Sequence, residues 1–299
     1  MRDLRIALSL AGVIILWGSS FLLSKWALME LGPMSLALYR WVIGSAGLAG
    51  YLAWRGRLRE AVRLARQHPW VFARLGLVGV ALFYAFQNLA LRYTTAVHVG
   101  VLINLNPVFI ALLSALVLGE RLTGLQWGGV LSAGAGVALV SAVGESLSLR
   151  GGSLLGDGLT LLSAACWAIY SVVGRRVLAR HDPLVVTGIV AGWGTLWLLP
   201  LAVGEGVSLD LSLRSWLVVA LLGLLCGALA YLLWFRVLAL IPPGRAAVYL
   251  FLIPLVSSVL AVAFLHEPFA LRTGLGAALV LAGVFCTETG SGISGLEEA

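Results

Sequence analysis

The sequence predicts an all-helical integral membrane protein, with ten transmembrane helices arranged as two inverted five-helix repeats and both termini in the cytoplasm. The first observation is composition, because only 11% of the 299 residues are charged, whereas a soluble domain carries roughly a quarter. The second is length, because apolar runs of about 20 residues, enough to cross a bilayer, recur along the whole chain. The third is a motif in the first half that returns in the second half.

Ten apolar segments are separated by short turns that are rich in arginine, proline or glycine. The predicted spans are Leu4–Met29, Met34–Trp54, Trp70–Leu91, Ala96–Leu118, Leu125–Val143, Leu159–Leu178, Leu184–Val203, Trp216–Leu240, Ala246–Leu265 and Arg272–Thr287. They divide the chain into a first repeat at 1–143, a linker at 144–158, a second repeat at 159–288 and a tail at 289–299. The tail is acidic and rich in glycine and serine, which predicts disorder.

The two halves of the sequence resemble each other at fixed spacings. Pro107–Glu120 and Pro254–Glu267 have equal lengths, are both apolar, and lie 147 positions apart. Further matched pairs are Tyr84/Tyr231 at the same spacing, and Trp17/Trp167 and Lys25/Arg175 at a spacing of 150. A single gap of three residues between these regions explains why the spacing is 150 for some pairs and 147 for others. The chain is therefore predicted to contain two copies of one unit.

Each predicted copy has five spans, an odd number, so the second copy enters the membrane in the opposite orientation. Inverted repeats of this kind are a transporter architecture, with the substrate site near the midplane between the halves. A duplicated bundle without transport, acting as a membrane enzyme or a receptor, is the alternative from another class. An enzyme would need a cluster of catalytic side chains at one membrane face, and the sequence shows none.

The placement of basic residues predicts the orientation. With cytoplasmic termini, the inner side carries fourteen arginines, at positions 2, 5, 55, 57, 59, 63, 66, 74, 121, 175, 176, 180, 236 and 245. The outer loops then carry four, at positions 92, 150, 214 and 272. This asymmetry follows the positive-inside rule and accounts for the net charge of +7 without nucleic acid as a partner. It favours a multi-pass protein of the plasma membrane, the inner membrane in a bacterium.

Several motifs together resemble the drug/metabolite transporter superfamily, and within it the ten-helix EamA-type exporters. They are the run Trp17-Gly18-Ser19-Ser20-Phe21, Arg40, the two proline-to-glutamate segments, and Gly128-Gly129. The resemblance covers nearly the whole chain and is nearest to the bacterial exporters of aromatic amino acids. It implies a secondary exporter of small organic solutes.

Polar and aromatic side chains within the spans predict a central cavity, because such groups avoid lipid. The candidate substrate-binding residues are Trp17, Ser20, Tyr84, Gln87, Asn88, His98, Asn104, Trp167, Tyr170, Tyr231, Trp234 and Tyr249. Tryptophans nearer the span ends are assigned instead to the interfacial belt, namely Trp26, Trp41, Trp54, Trp70, Trp127 and Trp216. His98 is a candidate for proton sensing, with a hydrogen bond between helices as the alternative.

Charged residues and prolines within the spans suggest further roles. Lys25 and Arg40 are expected to pair with Glu30 or to extend toward the membrane surface, with binding of a substrate carboxylate as the alternative. Pro107 and Pro254 are expected well inside their helices, where each would form a kink that acts as a hinge. Glu120 and Glu267 are expected to anchor helix ends.

The predicted function is export of small organic solutes, amino acids or related metabolites, by alternating access through this aromatic-lined cavity. A multidrug or organic-cation exporter is the alternative within transport. No aspartate or glutamate is expected in the middle of a span, which predicts facilitated transport, with coupling by a route other than an intramembrane carboxylate as the alternative. The sequence shows no motif for a cofactor or a metal, the expected partners are the solute and the bilayer, and a monomer and a homodimer both remain open.

Overall fold

The computed structural model describes residues 2–90, 93, 99, 102–119, 122–141, 154–207, 209–265 and 271–297. These residues form helices and turns and no strand, which confirms the all-helical prediction. Five helical stretches among them are long and apolar enough to cross a bilayer, namely Asp3–Ser20, Pro69–Ala90, Leu154–Leu178, Pro183–Glu205 and Leu213–Leu240. Shorter apolar helical stretches accompany them at Asn106–Leu118, Pro243–Ser257 and Gly274–Thr287.

The helices of the first half include one segment of π-helix within the third apolar stretch. They are α1 (Arg2–Ala27), α2 (Pro33–Trp54), α3 (Leu58–Gln67), α4 (Pro69–Gly76), the π-helical segment π1 (Leu77–Leu82), α5 (Phe83–Ala90), α6 (Asn106–Leu118) and α7 (Gly124–Ser141). Helix α3 is the amphipathic exception, with arginines along its exposed side and Ala61 and Leu64 buried.

The helices of the second half follow the same order. They are α8 (Leu154–Leu178), α9 (Pro183–Glu205), α10 (Leu213–Leu221), the π-helical segment π2 (Leu222–Leu229), α11 (Ala230–Leu240), α12 (Pro243–Val248), a 3-10 turn (Tyr249–Leu252), α13 (Ile253–Leu265) and α14 (Leu271–Glu297). Helices α2 and α9 each begin at a proline, 150 positions apart, and α6 and α13 begin 147 positions apart and have equal lengths. The segments π1 and π2 lie at equivalent places in their halves.

Helices α2 and α9 are tied together at both ends. At one end Glu205, the last residue of α9, accepts hydrogen bonds from the backbone N–H groups of Met34 and Ser35, each at 2.9 Å, and so caps α2. At the other end Asp182 caps α9 by accepting from Leu184 N–H at 2.9 Å, and its carboxylate lies 3.0 Å from the Arg57 guanidinium. Because the first N–H groups of a helix have no partner within the helix, these carboxylates stabilise both starts.

Helices α7 and α14 pack closely at glycines that the repeat makes equivalent. A methyl group added at Gly129 would lie 2.5 Å from the carbonyl oxygen of Gly283, and one added at Gly136 would lie 2.6 Å from that of Gly276. Gly129 corresponds to Gly276 and Gly136 to Gly283 in the repeat, so each contact is the counterpart of the other. Only glycine allows two helix backbones to approach this closely.

The structure corrects the position of the two prolines. Pro107 is the second residue of α6, which follows a turn at Asn104 and Leu105, and Pro254 is the second residue of α13, which follows the 3-10 turn. Pro107 therefore lies at the start of a helix, whereas Pro254 lies inside the continuous helical stretch Pro243–Ser257, where the 3-10 turn changes to α-helix. Proline lacks an N–H donor and suits the first turn of a helix, where that donor has no intrahelical partner.

Two further segments differ from the sequence prediction. Helix α14 continues to Glu297, so the described part of the tail is helical, and α8 begins at Leu154, inside the predicted linker. Extending an existing helix adds one hydrogen bond per residue without a new nucleation step, which offsets the low helix propensity of glycine and serine. Glu120 and Glu267, the predicted end anchors, lie outside the described residues, as does His98.

Candidate functional site

Five of the predicted substrate-binding residues meet in one aromatic cluster, formed by Trp17, Trp167, Tyr170, Tyr231 and Trp234. The ring centre of Trp17 lies 5.2 Å from that of Trp167, 5.8 Å from that of Tyr231 and 6.0 Å from that of Trp234. Trp167 in turn lies 5.2 Å from Tyr170. These separations are the ones that favourable edge-to-face and offset ring pairs adopt. Candidate residues that the sequence places on separate helices therefore belong to one aromatic cluster.

The aromatic cluster lies where the two halves meet. Trp17 is on α1 and Trp167 is at the equivalent position on α8, and their rings contact each other directly. Other equivalent residues also touch, because Thr195 Oγ1 lies 3.3 Å from Ser45 Oγ and Ser132 Oγ donates to Leu279 O at 3.2 Å. Contacts between a residue and its own counterpart arise where a two-fold axis relates two halves of a chain.

Trp41 and Tyr84 extend the aromatic cluster toward α2 and α5. Trp41 is fully buried, and its ring centre lies 4.7 Å from Tyr231 and 6.3 Å from Tyr84. Its assignment to the interfacial belt is therefore wrong. Trp41 lies eight residues after the first residue of α2, which places it about 12 Å along the helix and too deep for a belt residue. Counting that depth in the sequence would have identified it.

Arg40, the neighbour of Trp41, is a buried cation beside this cluster. Its side chain is only 6% exposed, and its guanidinium carbon lies 5.1 Å from the centre of the Tyr84 ring. Its Nη2 group donates to the carbonyl oxygen of Cys226 at 3.2 Å, while its Nε–H has no hydrogen-bond partner among the described residues. The expected pairing with Glu30 is wrong, and the side chain does not extend to the surface.

The backbone of Cys226 joins the cluster to the π-helical segment π2. Its carbonyl oxygen accepts from Trp17 Nε1 at 3.1 Å as well as from Arg40 Nη2, and its thiol donates to Leu16 O at 3.1 Å. The different hydrogen-bond register of a π-helix alters which carbonyls face outward, and such segments are frequent at functional sites. No feature of the sequence signals π1 or π2.

Differences in exposure divide the cluster into a buried side and a partly exposed side. Tyr170, Trp234 and Tyr231 are at most 2% exposed, and they form the buried side. Trp17 and Tyr84 are partly exposed and form the partly exposed side, called here the accessible side, and Gln87, one helical turn after Tyr84, is also partly exposed. Tyr231 donates its hydroxyl to Gly79 O at 3.3 Å, and Trp234 donates Nε1–H to Ser171 Oγ at 3.2 Å, so both serve packing as well.

The remaining predicted site residues have more varied surroundings. Asn88 donates its side-chain amide to Pro33 O at 3.0 Å, and Ser20 donates its hydroxyl to Trp17 O at 2.7 Å within α1. Each of these groups is therefore occupied by the protein itself. Tyr249 lies in the 3-10 turn and Asn104 in the turn before α6, both partly buried. None of these four is in ring contact with the aromatic cluster.

The described carboxylates near the membrane surface are engaged elsewhere. Glu30 accepts from Ser212 Oγ at 2.7 Å and from Ser212 N–H at 2.9 Å, and these hydrogen bonds lower the pKa of Glu30 below its ordinary value. Within the described ranges no carboxylate oxygen lies within 4 Å of the Arg40 guanidinium, because the ion pairs there all involve Arg57. The same residues contain no group of three metal-ligating side chains.

Comparison with known proteins bears on both fold and class. One crystal structure superposes with a TM-score of 0.79 at 23% identity, covering 94% of this chain and 95% of that one, which shows a shared fold. The sequence matches the EamA-like transporter family over residues 4–142 and 154–289. The chain belongs to this family. Its EamA-like relatives include an uncharacterized transporter of Archaeoglobus fulgidus, 34% identical over 94% of this chain and 96% of that protein.

A second EamA-like relative has a more informative name. It is a probable terminal-alkyne amino-acid exporter of Streptantibioticus cattleyicolor, 29% identical over 91% of this chain and 89% of that protein. Membership in the EamA-like transporter family makes the chain a multi-pass membrane transporter and not an enzyme. The resemblance predicted from the motifs around Trp17 and the two prolines is therefore confirmed.

Proposed function

We propose that this EamA-like transporter is a secondary exporter of small organic solutes, amino acids or related metabolites, and that it works by alternating access. One observation carries the proposal: equivalent tryptophans of the two halves, Trp17 and Trp167, form the centre of a shared aromatic cluster. A transporter built from inverted repeats binds its substrate between the halves, near the midplane. Trp17 lies ten residues before the end of α1, or about 15 Å along the helix, which is half the thickness of the hydrocarbon core.

The inverted arrangement is supported by paired contacts. A methyl group added at Gly44 would lie 2.7 Å from Gly223 O, and one added at Gly76 would lie 2.7 Å from Gly194 N. Gly194 corresponds to Gly44 at a spacing of 150, and Gly223 corresponds to Gly76 at a spacing of 147, so each contact is again the counterpart of the other. The proposal includes five spans per half, ten in total, with cytoplasmic termini and the arginines inside.

The chemistry of the accessible side suits an organic solute with an apolar portion. Trp17 and Tyr84 offer aromatic faces, and Gln87 offers an amide, all partly exposed. A relative that covers most of this chain is named a probable amino-acid exporter, which supports amino acids as the substrate class. The bacterial inner membrane is the location that fits export of a metabolite by a chain with this arginine distribution.

Alternating access requires helices that move at defined points, and the two prolines mark equivalent points. Pro107 follows a turn and Pro254 follows a 3-10 turn, each at the start of a 13-residue helix. Irregular backbone at membrane depth is tolerated where it lines a cavity. We assign the hinges of the two halves to these helix starts.

Solute counterflow in proteoliposomes tests the proposal. Vesicles loaded with an unlabelled amino acid should accumulate the labelled form transiently, and Trp167→Ala should lower the initial rate at least tenfold. Trp167→Phe keeps an aromatic ring and should retain more of the counterflow rate. Comparing it with Trp167→Ala shows whether the loss of rate in the alanine variant arises from misfolding. Trp54→Ala is the matched control because Trp54 is 76% exposed. If the wild-type protein shows no counterflow of any solute in a panel of amino acids, amines and sugars, the proposed function is contradicted.

A further inference from the structure

Arg40 carries a positive charge that the described part of the chain leaves without a counter-ion. Its side chain is 94% buried, its nearest polar partner is a neutral backbone carbonyl, and its Nε–H is unpaired. A buried ionic group is strongly destabilising unless it is paired and hydrogen-bonded. Ionisable groups retained within a membrane protein mark substrate or ion sites for this reason.

The candidate counter-ions on the neighbouring helices are held by other groups. Glu205 caps the start of α2 through Met34 and Ser35, seven helical residues away from the position of Arg40. Glu30 is bonded to Ser212 in the turn that follows α1. A negative charge that neutralises Arg40 therefore has to come from a group other than these two carboxylates.

A second buried donor lies on the residue next to Arg40 in the chain. Trp41 Nε1–H is a second buried donor without a hydrogen-bond partner in the described residues. Tyr84 lies against the guanidinium at 5.1 Å and is partly exposed, so Arg40 is adjacent to the accessible side of the cluster. The planar guanidinium of arginine carries N–H donors in a fork that matches a carboxylate.

We infer that Arg40 binds the carboxylate of the transported solute. The substrate class is then organic carboxylates, including zwitterionic amino acids, with the apolar side chain of the solute against Trp17 and Tyr84. An organic cation is excluded from this site because an unpaired guanidinium repels it in a medium of low dielectric constant. This inference rests on the proposed transport function and decides between amino acids and organic cations as its substrates.

The test compares solutes that differ in one charged group. The two series are L-phenylalanine, 3-phenylpropanoate and 2-phenylethylamine, and L-leucine, 4-methylpentanoate and 3-methylbutylamine. Each compound is added to purified full-length protein in detergent for thermal unfolding, and to proteoliposomes as a competitor of counterflow. The amino acid and the carboxylate of at least one series should raise the melting temperature and compete. The amine should be at least tenfold weaker in both measurements.

Variants of Arg40 assign the effect to this residue. Arg40→Gln should weaken the carboxylate at least tenfold and reduce the difference between carboxylate and amine to less than twofold. Arg40→Lys keeps the charge but loses the planar fork, so it should retain the preference for the carboxylate at lower affinity. Arg214→Gln is the matched control, because Arg214 also lies 5.1 Å over an aromatic ring, that of Trp26, but is exposed.

The outcomes separate this inference from the proposed function. If the amine inhibits counterflow by the wild-type protein as strongly as the amino acid does, the transport function stands and the role of Arg40 is overturned. The same holds if Arg40→Gln melts normally and still prefers the carboxylate. Carboxylate binding that requires Arg40, in a protein without counterflow, would uphold the site and contradict export. No effect of either carboxylate series on melting or counterflow would overturn the inference.

Discussion

Trp17 and Arg40 donate hydrogen bonds to the same acceptor, the carbonyl oxygen of Cys226. The indole Nε1 lies 3.1 Å from this oxygen and the guanidinium Nη2 lies 3.2 Å from it. Trp17 belongs to α1, Arg40 to α2 and Cys226 to π2 in the other half of the chain. One backbone group of the second half therefore positions both an aromatic face and a cation of the first half.

Replacing Trp17 with phenylalanine tests this shared acceptor. Trp17→Phe removes the indole N–H but keeps an aromatic ring against Trp167, so the expected loss is that of one hydrogen bond, about 1 kcal/mol of unfolding free energy. Unfolding in detergent, followed by circular dichroism, measures it. Trp54→Phe is the control at an exposed position. A Trp17→Phe protein as stable as Trp54→Phe would show that the bond contributes nothing to folding.

The close packing of α7 and α14 predicts different effects for two adjacent glycines. Gly129→Ala places a methyl group 2.5 Å from Gly283 O, and the overpacking should destabilise the protein by about 1–3 kcal/mol. Gly128→Ala places its methyl group in open space, and alanine favours a helix by about 1 kcal/mol, so stability should be unchanged or higher. Melting temperatures of the two variants measure the difference. Equal melting temperatures would contradict the contact between these helices.

The repeat made much of this arrangement predictable from the sequence. Trp17, Trp167 and Tyr231 were identified because polar aromatics recurred at matched positions in apolar helices, and their contact follows from the repeat. The role of Trp41 is not evident from its residue type, which is the same whether it faces lipid or a neighbouring helix, and only its depth along α2 distinguishes it from a belt residue. The role of Arg40 remained one of several alternatives because its partner is a backbone carbonyl, which carries no side-chain signal.

The backbone irregularities were less predictable. A proline within an apolar run predicts a break but leaves open whether it interrupts one helix or starts another: Pro107 starts a helix, and Pro254 marks a change from 3-10 to α-helix within one helical stretch. The π-helical segments π1 and π2 contain ordinary apolar residues and glycines, whose propensities do not distinguish a π-helix from an α-helix. Their position is set by packing against the other half, at contacts such as Gly44 with Gly223.

Substituting the prolines at the two helix starts tests the hinges. Pro107→Ala should fold normally, because an N–H in the first turn of a helix needs no intrahelical partner, and Pro254→Ala should also fold, because its new N–H lies in a stretch that is already helical. If these starts are hinges, alanine favours extension of the helix into the preceding turn and should lower counterflow several-fold while solute binding changes little. Pro200→Ala, inside α9, is the control for loss of a proline in a helix. Normal counterflow in both hinge variants would contradict the hinge assignment.

The orientation predicted from the arginines can be read by cysteine labelling in intact cells. In a variant without the native cysteines, Arg150→Cys should react with a membrane-impermeant maleimide from outside. Arg59→Cys, on the exposed side of α3, should react only after the membrane is opened. Labelling of Arg150→Cys from the cytoplasmic side alone would overturn both the odd number of spans per half and the positive-inside assignment.

We expect transport to be independent of a proton gradient because of where the described carboxylates lie. Along α1 to α13 the described acidic residues within long apolar helices stand at the ends, as Asp3, Asp157 and Glu205 do, and an intramembrane carboxylate is the usual proton carrier.

Counterflow measured with and without a protonophore should therefore give initial rates within about twofold of each other, since no described carboxylate requires protonation during the cycle. His98→Gln is the variant that tests the remaining titratable candidate, and its rate should follow the wild-type rate between pH 6 and 8, the range in which histidine ordinarily titrates. A pH profile that changes in His98→Gln would assign proton sensing to His98. Uptake that depends strictly on an imposed proton gradient would contradict the prediction, and the carrier would then have to be sought among the acidic residues at the helix ends.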